Sequence, residues 1–249
     1  MSGSDKAIRD EGTYIVTGAA NGIGRALARR LAAHGHDLML IDVDVARLEA
    51  AADELPGTPW LVGADLSERD GIAQACAAIA KLDLPAALIN NAGMYRGNPL
   101  DTYDIETIER DYRVNVVAPM LLTQAYARPL VARKQRGCVV HVASTAGEIG
   151  SSDAVYGSAK AAVLGLTKSQ AMNYAPWVRV NCVSPGMVRD TAIEARIPSH
   201  RHAEYARQEQ LDTRLDAASV AEVMHFFVTP ASRNLTAKII PVDNGAYPR

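Results

Sequence analysis

Short apolar runs alternate with longer stretches of helical periodicity along nearly the whole chain, and this alternation constrains the fold more than any single residue. Residues 14–17, 38–42, 60–62, 86–90, 138–143, 178–183 and 238–242 are strand-sized and apolar or β-branched. Between them, apolar residues recurring at helical spacing predict helices over 23–34, 45–55, 67–79, 154–173 and 217–228, and one or two helices over 105–133. Strands separated by helices read as a mostly parallel sheet with helices on both faces, a doubly wound α/β domain of seven strands. Its right-handed crossovers bring ligands to the carboxyl ends of the strands. Ser67 stands where an N-cap belongs, and Gly35 where the first helix should stop. Residues 1–11 are polar, lack an apolar signal segment and are expected to form a flexible tail. Residues 12–249 are expected to form one domain, with an arginine-rich lid at about 187–215.

Composition narrows the partners. Of 249 residues, 48% are apolar, enough for a substantial core and too many for a disordered chain. Lys and Arg number 26 against 28 Asp and Glu, a net charge of −2 that excludes an electrostatic nucleic-acid binder or a polybasic membrane-surface protein. No apolar run reaches bilayer length. Cys76, Cys138 and Cys182 lie far apart without paired spacing, the pattern of reduced thiols in a cytoplasmic protein. No His, Cys or carboxylate cluster has metal-ligand spacing, so no metal is expected.

Three local patterns carry chemistry. Thr17-Gly-Ala-Ala-Asn-Gly-Ile-Gly24 follows the first strand and opens the first helix. Gly18 permits a tight turn, Gly22 lets backbone approach a pyrophosphate at the positive end of the helix, and Gly24 lets helix and strand pack closely. Asp42 ends the second strand, 24 residues after Gly18. A carboxylate there accepts both hydroxyls of an adenosine ribose and repels a 2′-phosphate, and neither Asn21 nor residues 43–45 supply a cation. NAD is therefore expected over NADP. Tyr156 and Lys160 are four residues apart in a helix, so phenol and ammonium share a face, and the cation is expected to lower the phenol's pKa toward that of a general base. Ser144 lies just past a strand at the ligand-binding edge. His141, mid-strand before it, reads as a hydrogen-bonded core histidine.

With these residues in order, the chain resembles the short-chain dehydrogenase/reductase family in its roughly 250-residue form. The likeness runs over about residues 12–245: the glycine turn, Asp65, Asn90-Asn-Ala-Gly93, Asn115, Ser144, Tyr156 with Lys160, and Pro185-Gly186. The resemblance implies a Rossmann-type fold and a nicotinamide dinucleotide held by Gly18, Asn21, Gly22, Ile23, Gly24, Asp42, Asp65, Leu66, Asn91, Ala92, Gly93, Pro185, Gly186, Val188 and Thr191. It implies Asp65 on the adenine amino group and Val188 on the carboxamide through its backbone. Tyr156 becomes the acid/base, Ser144 the group on the substrate oxygen, Lys160 the holder of the nicotinamide ribose, and Asn115 the anchor of a water leading to the lysine.

Three departures stand out. Ser144 and Tyr156 are one position closer than the family's usual spacing, Asp190 stands where the family often has Thr, with Thr191 next, and Asp243-Asn-Gly245 replaces a frequent Asp-Gly-Gly. Family specificity resides in segments that here carry Met94, Arg96, Glu148 and Arg189. Arg96 or Arg189 is a candidate clamp for an anionic substrate group. A lid without long apolar residues favours a small polar alcohol or its ketone. The helices over 105–133 and 154–173 are more apolar than one core stripe requires, and the family pairs them between subunits, so a homotetramer or homodimer is expected. The rival readings are an NADPH-dependent ketoreductase of the 3-oxoacyl-carrier-protein type and a dinucleotide sensor that has lost catalysis.

Overall fold

The structure is a computed structural model that describes residues 12–247. The expected tail at 1–11 lies outside the described residues. Seven strands, β1 (Tyr14–Thr17), β2 (Leu38–Asp42), β3 (Trp60–Gly63), β4 (Ala87–Asn90), β5 (Gly137–Val142), β6 (Val178–Pro185) and β7 (Ile239–Val242), form one sheet in the order β3-β2-β1-β4-β5-β6-β7. Every pairing is parallel. The helices are α1 (Gly22–Ala33), α2 (Val45–Ala52), α3 (Arg69–Ile79), α4 (Ile105–Tyr112), α5 (Ala118–Ala132), the single turn α6 (Ala146–Ile149), α7 (Ala154–Tyr174), α8 (Ser199–Gln208) and α9 (Ala217–Val228).

Side chains alternate across each strand, so the near-continuous apolar runs fill two cores. Tyr14, Val16 and Leu40 meet Leu27 and Leu31 of α1 and Phe227 of α9 on one face. Ile15, Met39 and Ile41 meet Ile72 of α3 and Leu122 of α5 on the other. Each such fully buried aliphatic side chain contributes roughly 1.5–3 kcal/mol. The strand order reverses between β1 and β4, which opens a crevice at their carboxyl ends.

Several boundaries move for local reasons. The third helix begins at Arg69 with Glu68 before it, and Ser67 is not its cap. The Ser67 hydroxyl instead accepts from Arg110, and its carbonyl accepts from Arg113. The second helix stops at Ala52, short of 55. The stretch 105–133 is two helices joined by one π turn, Arg113–Val117, which carries Asn115. Gly35, at φ 80°, follows the last helical turn as expected. Among the described residues, no helix is long and apolar enough to cross a membrane, no three or more His, Cys, Asp or Glu are grouped to hold a metal ion, and all three cysteines are free.

Candidate active site

The glycine turn, the ends of β4 and β5, the first turns of α7 and the lid enclose a cleft of about 610 Å³. At its floor Asn21 caps α1 by accepting the Gly22 N–H at 2.9 Å. Gly24 is forced by packing, because a Cβ there would lie 2.1 Å from the Gly18 carbonyl oxygen. Gly18, at φ 66°, would place a Cβ 2.9 Å from Ala92 Cα. Thr17 Oγ1 accepts the Asn91 and Ala92 N–H groups at 3.0 Å, and Asn91 Nδ2 donates to the Thr17 and Gly18 carbonyls at 2.9 and 3.1 Å. The turn after β4 is thereby laced to the turn after β1, with Asn91 as much lace as lining. Gly18, Asn21, Gly22, Ile23, Asn91, Ala92 and Gly93 line the cleft, whereas Gly24 lies under it.

Asp42 reaches the same cleft from β2. Its two oxygens accept the Ala20 and Asp44 N–H groups, each at 3.0 Å, which fixes the carboxylate beside the glycine turn. The cations lining the cleft among the described residues are Lys160 and Arg201, and neither lies at this end of the sequence pattern. Asp65 and Leu66 are not in the lining. Asp65 accepts its own loop's Ser67 N–H at 2.8 Å, and Leu66 is buried in the core on the α3 side. This cradle fits a dinucleotide: a glycine-rich wall, the N-terminus of α1, and a carboxylate acceptor fixed beside it.

Ser144, Tyr156 and Lys160 converge at the ends of β5 and α7. The Ser144 hydroxyl accepts the Ala146 N–H at 3.2 Å and acts on the Tyr156 phenol to lower its pKa. Lys160 Nζ lies 5.6 Å from the centre of the Tyr156 ring and donates to the Val142 carbonyl at 2.8 Å. The expected depression of the phenol is not found. Burial pushes Tyr156 up to about 12, opposed by the Ser144 hydroxyl, and burial also pulls Lys160 down to about 8. Desolvation of both groups outweighs their mutual influence. Asn115 is buried behind them, accepting from the Met94 N–H at 3.2 Å and donating to the Met94 and Asp111 carbonyls.

The substrate-side expectations need correcting. Arg96 does not face the cleft, because its guanidinium grips the buried Asp111 through hydrogen bonds of 3.0 Å. Met94 packs against the core on the α3 side. Glu148 turns back to accept from the Ser184 hydroxyl. Arg189 bridges Glu194 at 3.6 Å and Glu209 at 3.7 Å, fastening two parts of the lid. None of the four lines the cleft. Thr191 does, with Pro185, Gly186 and Val188, while Asp190 takes a positive φ of 60° and pairs outward with Arg214. The side chains that line the substrate end include Tyr95, Ser151, Arg201, Glu204, Tyr205 and Tyr247 together with the apolar Ile149, Met187, Ile193 and Ile197. Sequence reasoning marked the segments that carry them but did not single out these tyrosines, since isolated tyrosines in loop or lid segments carry no local signal.

A parallel doubly wound sheet, a glycine turn at the switch point and a Ser-Tyr-Lys group beside it define a nicotinamide-dependent oxidoreductase site in class. The comparisons carry this to a family. The family model for short chain dehydrogenase matches residues 13–202, and the chain belongs to the short-chain dehydrogenase/reductase family. It is 33% identical to a cis-4-hydroxycyclohexanecarboxylate dehydrogenase of Sinomonas cyclohexanicum over 94% of this chain and 96% of that one. Among solved structures it resembles a 4-hydroxyisoleucine dehydrogenase complexed with NADH (TM-score 0.87, 25% identity, 95% of this chain and 98% of that one). It also resembles a Beutenbergia cavernae structure assigned as an NAD(P)-dependent gluconate 5-dehydrogenase with NADP at low occupancy (TM-score 0.88, 28% identity, 94% and 96% coverage).

Proposed function

We propose that the protein is an NAD-dependent dehydrogenase or reductase for a small polar secondary alcohol and its ketone, with Tyr156 as the acid/base. The observation that carries this is the meeting of Ser144, Tyr156 and Lys160 in the cleft that also holds the Asp42 carboxylate. When bound, the nicotinamide supplies the hydride acceptor or donor. The protein does the rest. Ser144 orients the substrate oxygen and donates to it as charge develops. Tyr156 takes the alcohol proton in oxidation and returns one to the ketone oxygen in reduction. Lys160 keeps a positive charge near the phenol and favours its anion. Gly22, Asn91 and Val188 belong to the dinucleotide's seat, and Asp42 receives the ribose hydroxyls and repels a 2′-phosphate.

Residues 12–249 are read as one domain with a lid at about 187–215. Tyrosine hydroxyls, Ser151, Arg201 and Glu204 at the substrate end support a small alcohol carrying polar groups, although the lid, expected to lack long apolar residues, also brings Met187, Ile193 and Ile197 to the cleft; the named relatives act on hydroxylated acids. Exposed Met120, Leu121 and Met172 on α5 and α7 support pairing of these helices in a homodimer or homotetramer, and three free thiols fit the cytoplasm.

The test is a fluorescence titration with NAD⁺ and NADP⁺, followed by a screen of alcohols and ketones read at the nicotinamide absorbance. Tighter NAD⁺ binding, turnover, and its loss in Tyr156→Phe with cofactor binding spared support the reading. Preference for NADP⁺ moves it to the ketoreductase class, and binding without turnover of any substrate moves it to a sensor. Light scattering at the mass of a monomer removes the oligomer.

A further inference from the structure

Asp153 is a carboxylate with no exposed surface, and it does two things at once. As the N-cap of α7, its Oδ1 accepts the Tyr156 N–H at 3.0 Å. Its Oδ2 accepts the Gly97 N–H at 2.9 Å and the Tyr103 hydroxyl at 2.8 Å. Those two donors belong to the segment that follows the turn after β4, 56 and 50 residues upstream. The same segment carries Tyr95, whose ring meets the Tyr156 ring edge-on, with centroids 5.0 Å apart and planes at 73°.

A buried carboxylate is retained only where donors satisfy it, and here every donor comes from one of two pieces of the site. One is the backbone of the acid/base residue itself. The other is the loop whose tyrosine forms the wall against that residue. Tyr95 is held on its far side as well, since its carbonyl accepts from Arg196 of the lid at 3.0 Å. The first turn of α7 and the Tyr95 wall therefore share one anchor.

We propose that Asp153 is a positioning residue for the reaction, setting the Tyr156 phenol and the Tyr95 wall in one fixed relation so that the substrate carbinol is held at the phenol. This rests on the oxidoreductase reading above. Hydride and proton transfer tolerate little misplacement, and an error of about 1 Å costs on the order of a hundredfold in rate. Relaxing the anchor loosens the wall and the phenol together, while the dinucleotide's seat at the glycine turn is untouched.

Asp153→Ser separates the two tasks, because serine still caps a helix but is too short to reach Gly97 and Tyr103. Tyr103→Phe removes one loop bond and leaves the cap intact. Two readouts are needed: amide hydrogen exchange over residues 95–103 and the start of α7, and kcat and KM for cyclohexanol with NAD⁺, or for the best alcohol of the screen. In Asp153→Ser, exchange over 95–103 is expected to rise about tenfold while the start of α7 stays protected. In the same variant kcat falls about tenfold or more and KM rises, with the NAD⁺ Kd within about twofold of wild type. Tyr103→Phe is expected to raise KM with a smaller change in kcat.

A folded Asp153→Ser protein with unchanged exchange over 95–103, or with kcat and KM both at wild-type values, overturns the proposal. Loss of cofactor binding in step with activity also overturns it, because the residue then only maintains the fold. If wild-type protein turns over no alcohol, the oxidoreductase reading has failed on its own, and the exchange measurement still decides whether Asp153 couples the two segments.

Discussion

Lys160 Nζ donates to the carbonyl oxygen of Val142 at 2.8 Å, so the ammonium of α7 is tied to the end of β5 just before Ser144. The side chain is buried, and desolvation lowers its pKa to about 8. A folded-state pKa below the ordinary 10.5 means that the folded protein disfavours the charged form. Below about 8 the lysine is charged in both states and its burial costs about 3 kcal/mol; this cost is relieved as pH rises from 8 toward 10.5.

Lys160→Met should therefore be more stable than wild type at pH 7 and nearly inactive. The gain is about 1 kcal/mol, since the lost hydrogen bond to Val142 offsets part of the relieved desolvation. Denaturant unfolding at pH 7 and at pH 10 checks it: the advantage of the variant should shrink at the higher pH. A variant less stable at both values would mean that the lysine is a net structural asset.

The Ser144 hydroxyl holds the Tyr156 phenol below where burial alone would place it. Removing it in Ser144→Ala raises the phenol's pKa further, so less phenolate exists at any given pH. For alcohol oxidation, which needs the phenolate, the alkaline rise of kcat/KM should move to higher pH, with kcat at pH 8 down roughly a hundredfold. Ketone reduction starts from the protonated phenol, so its alkaline fall should move to higher pH in the same direction while its rate falls. A pH–rate series in both directions distinguishes the two effects, and a profile unmoved in oxidation would take Ser144 out of contact with the phenol.

How far these features were legible follows from their range along the chain. The strand–helix alternation, the glycine turn and the Tyr156–Lys160 pair are local patterns, and the elements formed within a few residues of where the spacing put them. Ser67 looked like a cap by local rule, yet arginines of α4 and the π turn claim its hydroxyl and carbonyl, and α3 begins two residues later. Arg96 looked like a free cation because its partner, Asp111, comes from a helix that sequence spacing cannot place against it. Asp153 went unread in the sequence, because its partners Gly97 and Tyr103 lie on a loop brought near by the sheet. The direction of the Tyr156 shift was missed for a related reason, since spacing reveals a neighbouring charge and not how deeply both groups are buried.

The cleft's two arginine candidates have exchanged places with Arg201. Arg96, itself partly exposed, pairs with the buried Asp111, so Arg96→Ala leaves that carboxylate without its cation and should destabilise the fold by about 2 kcal/mol. Its effect on KM, measured on folded protein, should be small. Arg201 lines the cleft, and its bond to Glu204 at 3.0 Å is a half-exposed pair of little energetic weight. Arg201→Gln should leave stability unchanged and raise KM about tenfold for hydroxy acids, with neutral alcohols unaffected. Equal KM values for a hydroxy acid in Arg201→Gln and wild type would remove the anionic-group reading.

The last prediction concerns His141, fully buried in β5 between Asn90 and Gln170. Gln170 Oε1 lies 2.8 Å from Nε2, so that nitrogen carries the proton, and Nδ1 accepts from Asn90 Nδ2 at 3.3 Å. Both ring nitrogens are thus satisfied only in the neutral form, and a second proton would face an N–H. Burial, the dominant cause, lowers the pKa to about 4, and the nearby Lys160 charge acts in the same direction. Because the unfolded chain binds this proton near 6.5 and the folded protein near 4, the neutral ring's contribution is complete above about 6.5 and is lost as pH falls toward 4. The loss amounts to about 3 kcal/mol over that window. Unfolding free energies at pH 7, 5.5 and 4.5 should fall more steeply for wild type than for His141→Asn, which has no proton to gain there. Parallel slopes for the two proteins would show that the imidazole is already protonated in the folded state, or that it does not stay buried in solution.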